Sequence, residues 1–265
     1  MVQSHLGTAV VTGASSGIGA VYADRLARRG YDLILVARNG SRLNALAERI
    51  RGDFHRNVEV MVADLGNRSD LQRVEETLRS DAGITLLVNN AGVGTHSPLL
   101  ESDVDAMTSL IELNVTALMR LTYAVAPKFV LRGNGAIINI ASIVGIAPEV
   151  LNGVYGGSKA FVLAFTQSLH HELASKGIQV QAVLPGATAT EFWERGGLPI
   201  ENLPAEIVMP TDQMVDASLV GFDRKELVTI PSLHHVEEWQ AYEAARQAMA
   251  PHLSNRAPAS RYSQA

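Results

Sequence analysis

The chain reads as an α/β protein built on a doubly wound, mainly parallel sheet of about seven strands, with helices on both faces. Short, near-continuous apolar runs recur along it, each followed by a longer amphipathic stretch. The runs do not alternate polar with apolar residues, as strands buried on both faces need not. The first of them ends in a glycine-rich turn that opens straight onto a helical pattern. Parallel neighbours joined through helices take right-handed crossovers, and reversing the direction of winding covers both faces.

Each element has its own signal. TAVVTG (8–13) is a buried run that stops at glycine, and 17–30 has a helical period closed near Gly30. DLILVA (32–37) gives the second strand and 41–51 the second helix; VEVMVADL (58–65) and 69–80 give the third pair. ITLLVNNAG (84–92) is a fourth strand entering a turn, followed by a long helical region over 103–132 with a bend expected near its middle. GAIINIAS (135–142) is the fifth strand, 154–176 a helix closed by Gly177, and IQVQAVLPG (178–186) the sixth strand. The pattern weakens over 187–211, where prolines and a Gly-Gly pair fall. A helix over 212–222, a short strand over 226–230 and a last helix over 234–250 complete the reading. We expect one domain over 1–252 and a loose polar tail over 253–265 that is free or lies on a neighbouring subunit.

Composition narrows the function classes. The 265 residues carry a net charge of −5, which favours neither nucleic acid nor an anionic membrane as partner. There is no cysteine, so disulfides, cysteine zinc sites and a cysteine nucleophile are excluded, and a reducing cytoplasm fits. The start, MVQSHLGTAVVTG, has no basic region leading into an apolar segment and a cleavage site. No run approaches the roughly 18 consecutive apolar residues of a membrane span.

The turn TGASSGIG (12–19) places Gly13, Gly17 and Gly19 between strand and helix as GxxxGxG. Glycine permits a tight turn and close approach to a pyrophosphate, and the helix start offers free N–H groups and a positive dipole end. The second strand ends at Ala37 and Arg38, without the acid that would bind the adenosine ribose and repel a 2′-phosphate. A planar cation suits that phosphate, so NADP(H) is preferred, with NAD(H) as the alternative. Asp64, after the third strand, either accepts from the adenine amino group or caps a turn.

VYGGSKAF (154–161) sets Tyr155 and Lys159 one helical turn apart. An ammonium near a phenol favours the phenolate and so brings a general acid–base toward neutral pH. An isolated YxxxK is also an ordinary helix surface. What distinguishes this one is Ser142 at the end of the fifth strand, with NNAG (89–92) and PG (185–186), all at carboxyl ends of strands where such a sheet gathers its site.

TGASSGIG, NNAG, Asn114 in the long helix, Ser142, YGGSK and PGATAT, in this order, resemble a short-chain dehydrogenase/reductase of the shorter, single-domain, Rossmann-type form, over roughly 7–190. The resemblance implies that Tyr155 gives a proton to a substrate carbonyl oxygen and takes it back in oxidation. Ser142 would bond that oxygen, Lys159 would hold the nicotinamide ribose and lower the Tyr155 pKa, and Asn114 would hold a water leading to solvent. Gly13, Ser15, Ser16, Gly17, Ile18 and Gly19 would contact the cofactor in the turn. Asp64 and Leu65 would meet adenine, Arg38 the 2′-phosphate, and Asn90, Ala91 and Gly92 would line the cofactor. Pro185, Gly186, Thr188 and Thr190 would hold the nicotinamide end. One departure is Ser16, where many NADP-preferring relatives carry a basic residue; discrimination then falls to Arg38, with Arg42 as a candidate helper. The glycines Gly156 and Gly157 would let cofactor and helix approach, and alanine at either should be tolerated.

The stretch 190–211 is similar to the family's substrate lid. Its Phe192, Trp193, Leu198, Ile200, Leu203 and Ile207 make it apolar, so an apolar carbonyl compound or secondary alcohol is expected as substrate. Arg195 is either a carboxylate anchor or a solvent-facing cation, and His96 either touches substrate or lies on a loop surface. His170-His171 and His234-His235 point apart on helices, so no metal site is expected. In relatives the helices at 103–132 and 154–176 pack on a second subunit, which implies a homodimer or homotetramer. Two rival functions remain: a non-catalytic dinucleotide-binding sensor or scaffold, and a reductase of carrier-bound 3-oxoacyl chains. The complete Ser142–Tyr155–Lys159–Asn114 set speaks against the first, and the scattered Arg120, Lys128 and Arg132 make no docking patch for the second.

Overall fold

The computed structural model describes residues 6–262; the first five residues and the last three of the expected tail lie outside the described residues. The chain forms one compact unit up to Ser232 and a second from Leu233. In the first, β1 (Thr8–Thr12), α1 (Gly17–Arg29), β2 (Asp32–Ala37), α2 (Gly40–Phe54), β3 (Val58–Val62), α3 (Arg68–Ser80) and β4 (Ile84–Asn89) alternate. Then come α4 (Val104–Ile111), a π turn (Glu112–Ala117), α5 (Leu118–Arg132), β5 (Gly135–Ile140), α6 (Gly153–Leu173) and β6 (Ile178–Val183). A four-residue helix α7 (Phe192–Arg195), then α8 (Thr211–Asp223) and β7 (Val228–Thr229) end the unit.

The strands lie in the order β3-β2-β1-β4-β5-β6-β7, and every pairing is parallel. The winding therefore reverses beside β1, and a crevice opens past the carboxyl ends of the strands. Side chains of one strand point alternately to the two faces. Ala9 and Val11 join a core with Leu26 of α1, Ile50 of α2 and Leu219 of α8. Val10, between them, joins the opposite core with Leu78 of α3, Phe129 of α5 and Leu173 of α6. The outer helices start where side chains cap them: Asn39 accepts from the Arg42 amide, and Asn67 from those of Ser69 and Asp70.

Several boundaries move from the expected positions, each for a local reason. α2 runs on to Phe54, which packs against the first core. β3 stops at Val62 rather than 65, because the chain turns: the Asp64 amide donates to the Asp70 carboxylate at 2.8 Å, and the Gly66 amide to Asp64 Oδ1 at 3.0 Å. The irregularity expected within 103–132 is the π turn, a wide turn often found at functional sites.

Polar groups cross the middle of the sheet. Asn89 and Asn139 face each other in register on β4 and β5. Asn89 Nδ2 donates to Asn139 Oδ1 at 2.9 Å and to Thr122 of α5 at 3.1 Å, while Asn139 Nδ2 donates to Thr166 of α6 at 2.9 Å. All four residues are buried.

In the second unit, α9 (Val236–Met249) has no buried residue, and Trp239 stacks on Tyr242 with centroids 5.3 Å apart. Among the described residues no helix is long and apolar enough to cross a membrane.

Candidate active site

A cleft of about 980 Å³ lies beyond the carboxyl ends of the strands. At one end is the glycine turn. Gly13 adopts φ +67°, and a Cβ there would come within 2.7 Å of Asn90 Nδ2 and 2.9 Å of the Ala91 Cα. The Asn90 side chain and the Ala91 backbone thus occupy the space a side chain would take, so the turn packs directly on the segment after β4. Gly17 and Ile18 line the cleft with Ser15 and Ser16. Gly19 does not: a Cβ there would stand 2.4 Å from the Gly13 carbonyl oxygen, so this glycine packs α1 against the turn.

Thr12 fixes the facing wall, a role the sequence reading missed. Its hydroxyl donates to the Val88 carbonyl at 3.2 Å and accepts from the amides of Asn90 and Ala91 at 2.9 and 3.0 Å. A hydroxyl residue ending an otherwise apolar strand was the available signal. Asn90, Ala91 and Gly92 line the cleft, and so do Leu65, Pro185, Gly186, Thr188 and Thr190.

Arg38 stands exposed at the mouth, 3.9 Å from the Asp64 carboxylate. Asp64 uses its other oxygen to cap its own turn, one of the two roles open to it from sequence. Arg42 does not line the cleft; its guanidinium is held by Glu191, just before α7, at 2.8 and 3.0 Å. Arg195, which does line the cleft, closes on the same Glu191.

At the other end Ser142, Tyr155 and Lys159 line one wall. Ser142 lies just past β5, caps a short turn through the Val144 amide, and donates to the Pro185 carbonyl at 3.3 Å. Tyr155 sits in the first turn of α6, where Asn152 caps the helix by accepting from the Val154 and Tyr155 amides at 2.8 and 3.3 Å. The Asn152 amide nitrogen reaches out to the Ser97 carbonyl at 2.6 Å, tying α6 to the loop after β4. Lys159 donates to the Ile140 carbonyl at 2.9 Å, and its ammonium lies 5.9 Å from the Tyr155 ring centroid.

Burial dominates the electrostatics here. It pushes the Tyr155 phenol up to about 12, against a smaller downward pull from the Ser142 hydroxyl, and draws Lys159 down to about 8. The lowered phenol expected from sequence is therefore not what the protein alone produces. A low-dielectric wall disfavours the charged form of both groups.

Asn114 is buried behind this wall, in the π turn. Its Oδ1 accepts from the Val93 amide at 2.9 Å; its Nδ2 donates to the Val93 carbonyl at 2.8 Å and the Ser158 hydroxyl at 3.2 Å. A Cβ on Gly92 would fall 3.0 Å from Asn114 Oδ1 and 3.6 Å from Lys159 Nζ. Asn114 is thus a bracket between the NNAG segment and α6, close to Lys159.

The two glycines between Tyr155 and Lys159 need a different explanation from the expected one. Neither lines the cleft. Gly156 is buried, and a Cβ there would meet Pro148 at 3.0 Å (Cβ), 3.1 Å (Cα) and 3.2 Å (O). Gly157 is exposed, with nothing within 4 Å. What comes close to α6 is the chain's own 148–150 turn. His96 is exposed and bonds the Gly196 carbonyl through Nδ1 at 2.7 Å.

Residues 7–197 match the short chain dehydrogenase family. The chain belongs to that family. An uncharacterized oxidoreductase of Staphylococcus saprophyticus is 38% identical over 191 residues, covering 72% of this chain and 82% of that one. A short-chain dehydrogenase from Sphingobium yanoikuyae, solved in complex with NADPH, is 52% identical; the match covers 97% of this chain and 100% of that one, with a TM-score of 0.95. An alcohol dehydrogenase from Comamonas testosteroni, described as specific for bulky-bulky ketones, is 46% identical over 98% of this chain and 100% of that one, with a TM-score of 0.91. As a family member the chain is an oxidoreductase with a Rossmann-type fold.

Proposed function

We propose that the protein is an NADP(H)-dependent oxidoreductase acting on a ketone or secondary alcohol with bulky apolar substituents, with Tyr155 as general acid and base. The observation that carries this is the cleft itself. A glycine cradle and Arg38 stand at one end, Ser142, Tyr155 and Lys159 at the other, and the apolar side chains Leu198, Leu203 and Ile207 beside them. The NADPH bound to the Sphingobium relative and the bulky ketones named for the Comamonas enzyme support the two ligand classes.

The residues fit the cofactor. Gly13, Ser15, Ser16, Gly17 and Ile18 would receive the pyrophosphate at the start of α1, and Asp64 and Leu65 the adenine. Arg38 would take the 2′-phosphate. Asn90, Ala91, Gly92, Pro185, Gly186, Thr188 and Thr190 would hold the rest. A bound nicotinamide supplies or accepts the hydride. On the protein side, Ser142 turns its hydroxyl from the long Pro185 bond to the carbonyl oxygen and polarises it. Tyr155, protonated across the neutral range, gives its proton to that oxygen as negative charge develops there. Lys159, charged below about 8, stabilises the phenolate left behind. Asn114 keeps the Val93 segment and α6 in place, next to the route by which Lys159 would regain protons through water. The segment 190–211 acts as lid.

α5 leaves Tyr123 and Leu131 exposed, Tyr123 stacks on the half-buried Phe165 of α6 and that on Phe161, and we assign this face to a homodimer or homotetramer. A second reaction reading, reduction of 3-oxoacyl thioesters, is favoured by a very-long-chain 3-oxoacyl-CoA reductase of Anas platyrhynchos, 38% identical over 189 residues but matched over only 60% of its own length.

The test is NADPH oxidation with diaryl and aryl alkyl ketones and with a 3-oxoacyl-CoA, for wild type and Tyr155→Phe. The variant should bind NADPH and lose at least about a hundredfold in rate. Full activity without the phenol would sink the mechanism, and turnover of the thioester alone would reassign the substrate.

A further inference from the structure

The segment after Gly92 and the short helix α7 meet beside Tyr155. Phe192, first residue of α7, packs into a small apolar cluster with Leu110, Val144 and Tyr155. Its ring centroid stands 5.7 Å from that of Tyr155, tilted by 47°. The tip of the ring rests on Gly94. A Cβ at Gly94 would lie 2.1 Å from Phe192 Cζ and 2.9 and 3.0 Å from its Cε atoms. Gly94 is not among the glycines with positive φ. The ring, and not the backbone, is what excludes a side chain at this position.

Neighbouring bonds hold the ring there. His96 ties the same segment to Gly196, just past α7. Trp193 donates to the Thr188 carbonyl at 2.9 Å and meets Phe192 edge-on, with centroids 5.8 Å apart. The ring itself makes only dispersion contacts, is half-buried, and lines the cleft. It can leave its seat without stranding a polar group.

We propose that Phe192 is the specificity-determining residue of the substrate site. Seated on Gly94, its ring fills the room beside Tyr155 that the second substituent of a ketone needs. A ketone with one small substituent binds with the ring in place, and one with two bulky substituents binds as the ring is unseated. This rests on the ketone reading above.

The test uses benzophenone and acetophenone with NADPH. Phe192→Ala removes the ring, and Gly94→Ala pushes it out. Both should raise kcat/KM for benzophenone relative to acetophenone by at least about tenfold, mainly through KM. The double variant should shift no further than Phe192→Ala alone, because the three nearest atoms to a Cβ at 94 all belong to that ring. A ratio unmoved in both single variants, or a full second shift in the double, overturns the proposal. If Gly94→Ala does not fold, Phe192→Leu and Phe192→Ala replace it, and a ratio that does not rise with the volume removed is equally fatal.

A readout without turnover separates this from the reaction reading. Trp239→Phe leaves Trp193 as the sole tryptophan. Unseating Phe192 by Gly94→Ala should then raise acrylamide quenching of Trp193, with NADPH affinity unchanged. Unchanged quenching in a folded variant refutes the seat. If wild type reduces neither ketone, the reaction reading fails, and the quenching result still decides the role of Gly94.

Discussion

Lys159→Met should make the cofactor-free protein more stable and nearly inactive. Burial draws the Lys159 pKa from 10.5 to about 8. At 1.36 kcal/mol per tenfold, keeping the charge costs the folded state about 3 kcal/mol at pH 7. Methionine has similar length and no charge. The change also removes the bond to the Ile140 carbonyl, worth about 1 kcal/mol, which leaves a net gain of about 2 kcal/mol. The unfolded chain keeps this proton up to about 10.5, whereas the folded protein releases it near 8. The wild-type penalty is therefore complete below 8 and fades between 8 and 10.5, and wild-type stability rises with pH over that window. The gain from Lys159→Met should be clear at pH 7 and close to zero by pH 9.5. Urea unfolding followed by circular dichroism, at one protomer concentration, reads both values. A variant less stable than wild type at pH 7, or a gain that does not shrink with pH, would show that the ammonium is not held at an energetic loss.

Gly156→Ala should destabilise by about 1–2 kcal/mol, because its Cβ would press on the Pro148 backbone, while Gly157→Ala should stabilise by about 0.5–1 kcal/mol; thermal melts of the pair check the contrast. Ketone reduction should decline as pH rises through about 8, where Lys159 loses its charge, with Tyr155 still protonated; a pH profile of kcat flat to 10 contradicts this. Arg38→Ala should weaken NADPH binding by at least about tenfold and leave NADH binding nearly unchanged, by calorimetry. Equal losses for both cofactors would remove Arg38 from 2′-phosphate recognition.

The alternation of elements was legible because buried parallel strands are apolar throughout and the helices between them carry a one-sided stripe. The strand ends were less so. Leu65, Ala141 and Leu184 are as buried and apolar as strand residues, yet they lie in the turns that build the cleft. Motif positions located the residues facing the cleft, including Ser142, Tyr155 and Lys159. What they could not supply were contacts between distant segments: Arg42 with Glu191, 149 positions apart, or Phe192 on Gly94. Nor could spacing reveal that burial dominates at Tyr155 and Lys159, since desolvation depends on everything packed around the pair. Gly156 was misread for the same reason. Its neighbour is Pro148, which no periodicity within the helix announces.

The Asn89–Asn139 pair works as an index mark for the sheet. Slide β5 by one residue along β4 and an isoleucine, Ile138 or Ile140, comes opposite Asn89. The buried amides then lose partners, at about 1–3 kcal/mol for each group stranded. The same slide would carry Ser142 about 3.3 Å along the strand axis relative to Asn90, farther than a hydrogen bond tolerates. Two amides deep in the core, touching nothing in the cleft, thereby set the height at which the serine hydroxyl stands at its rim.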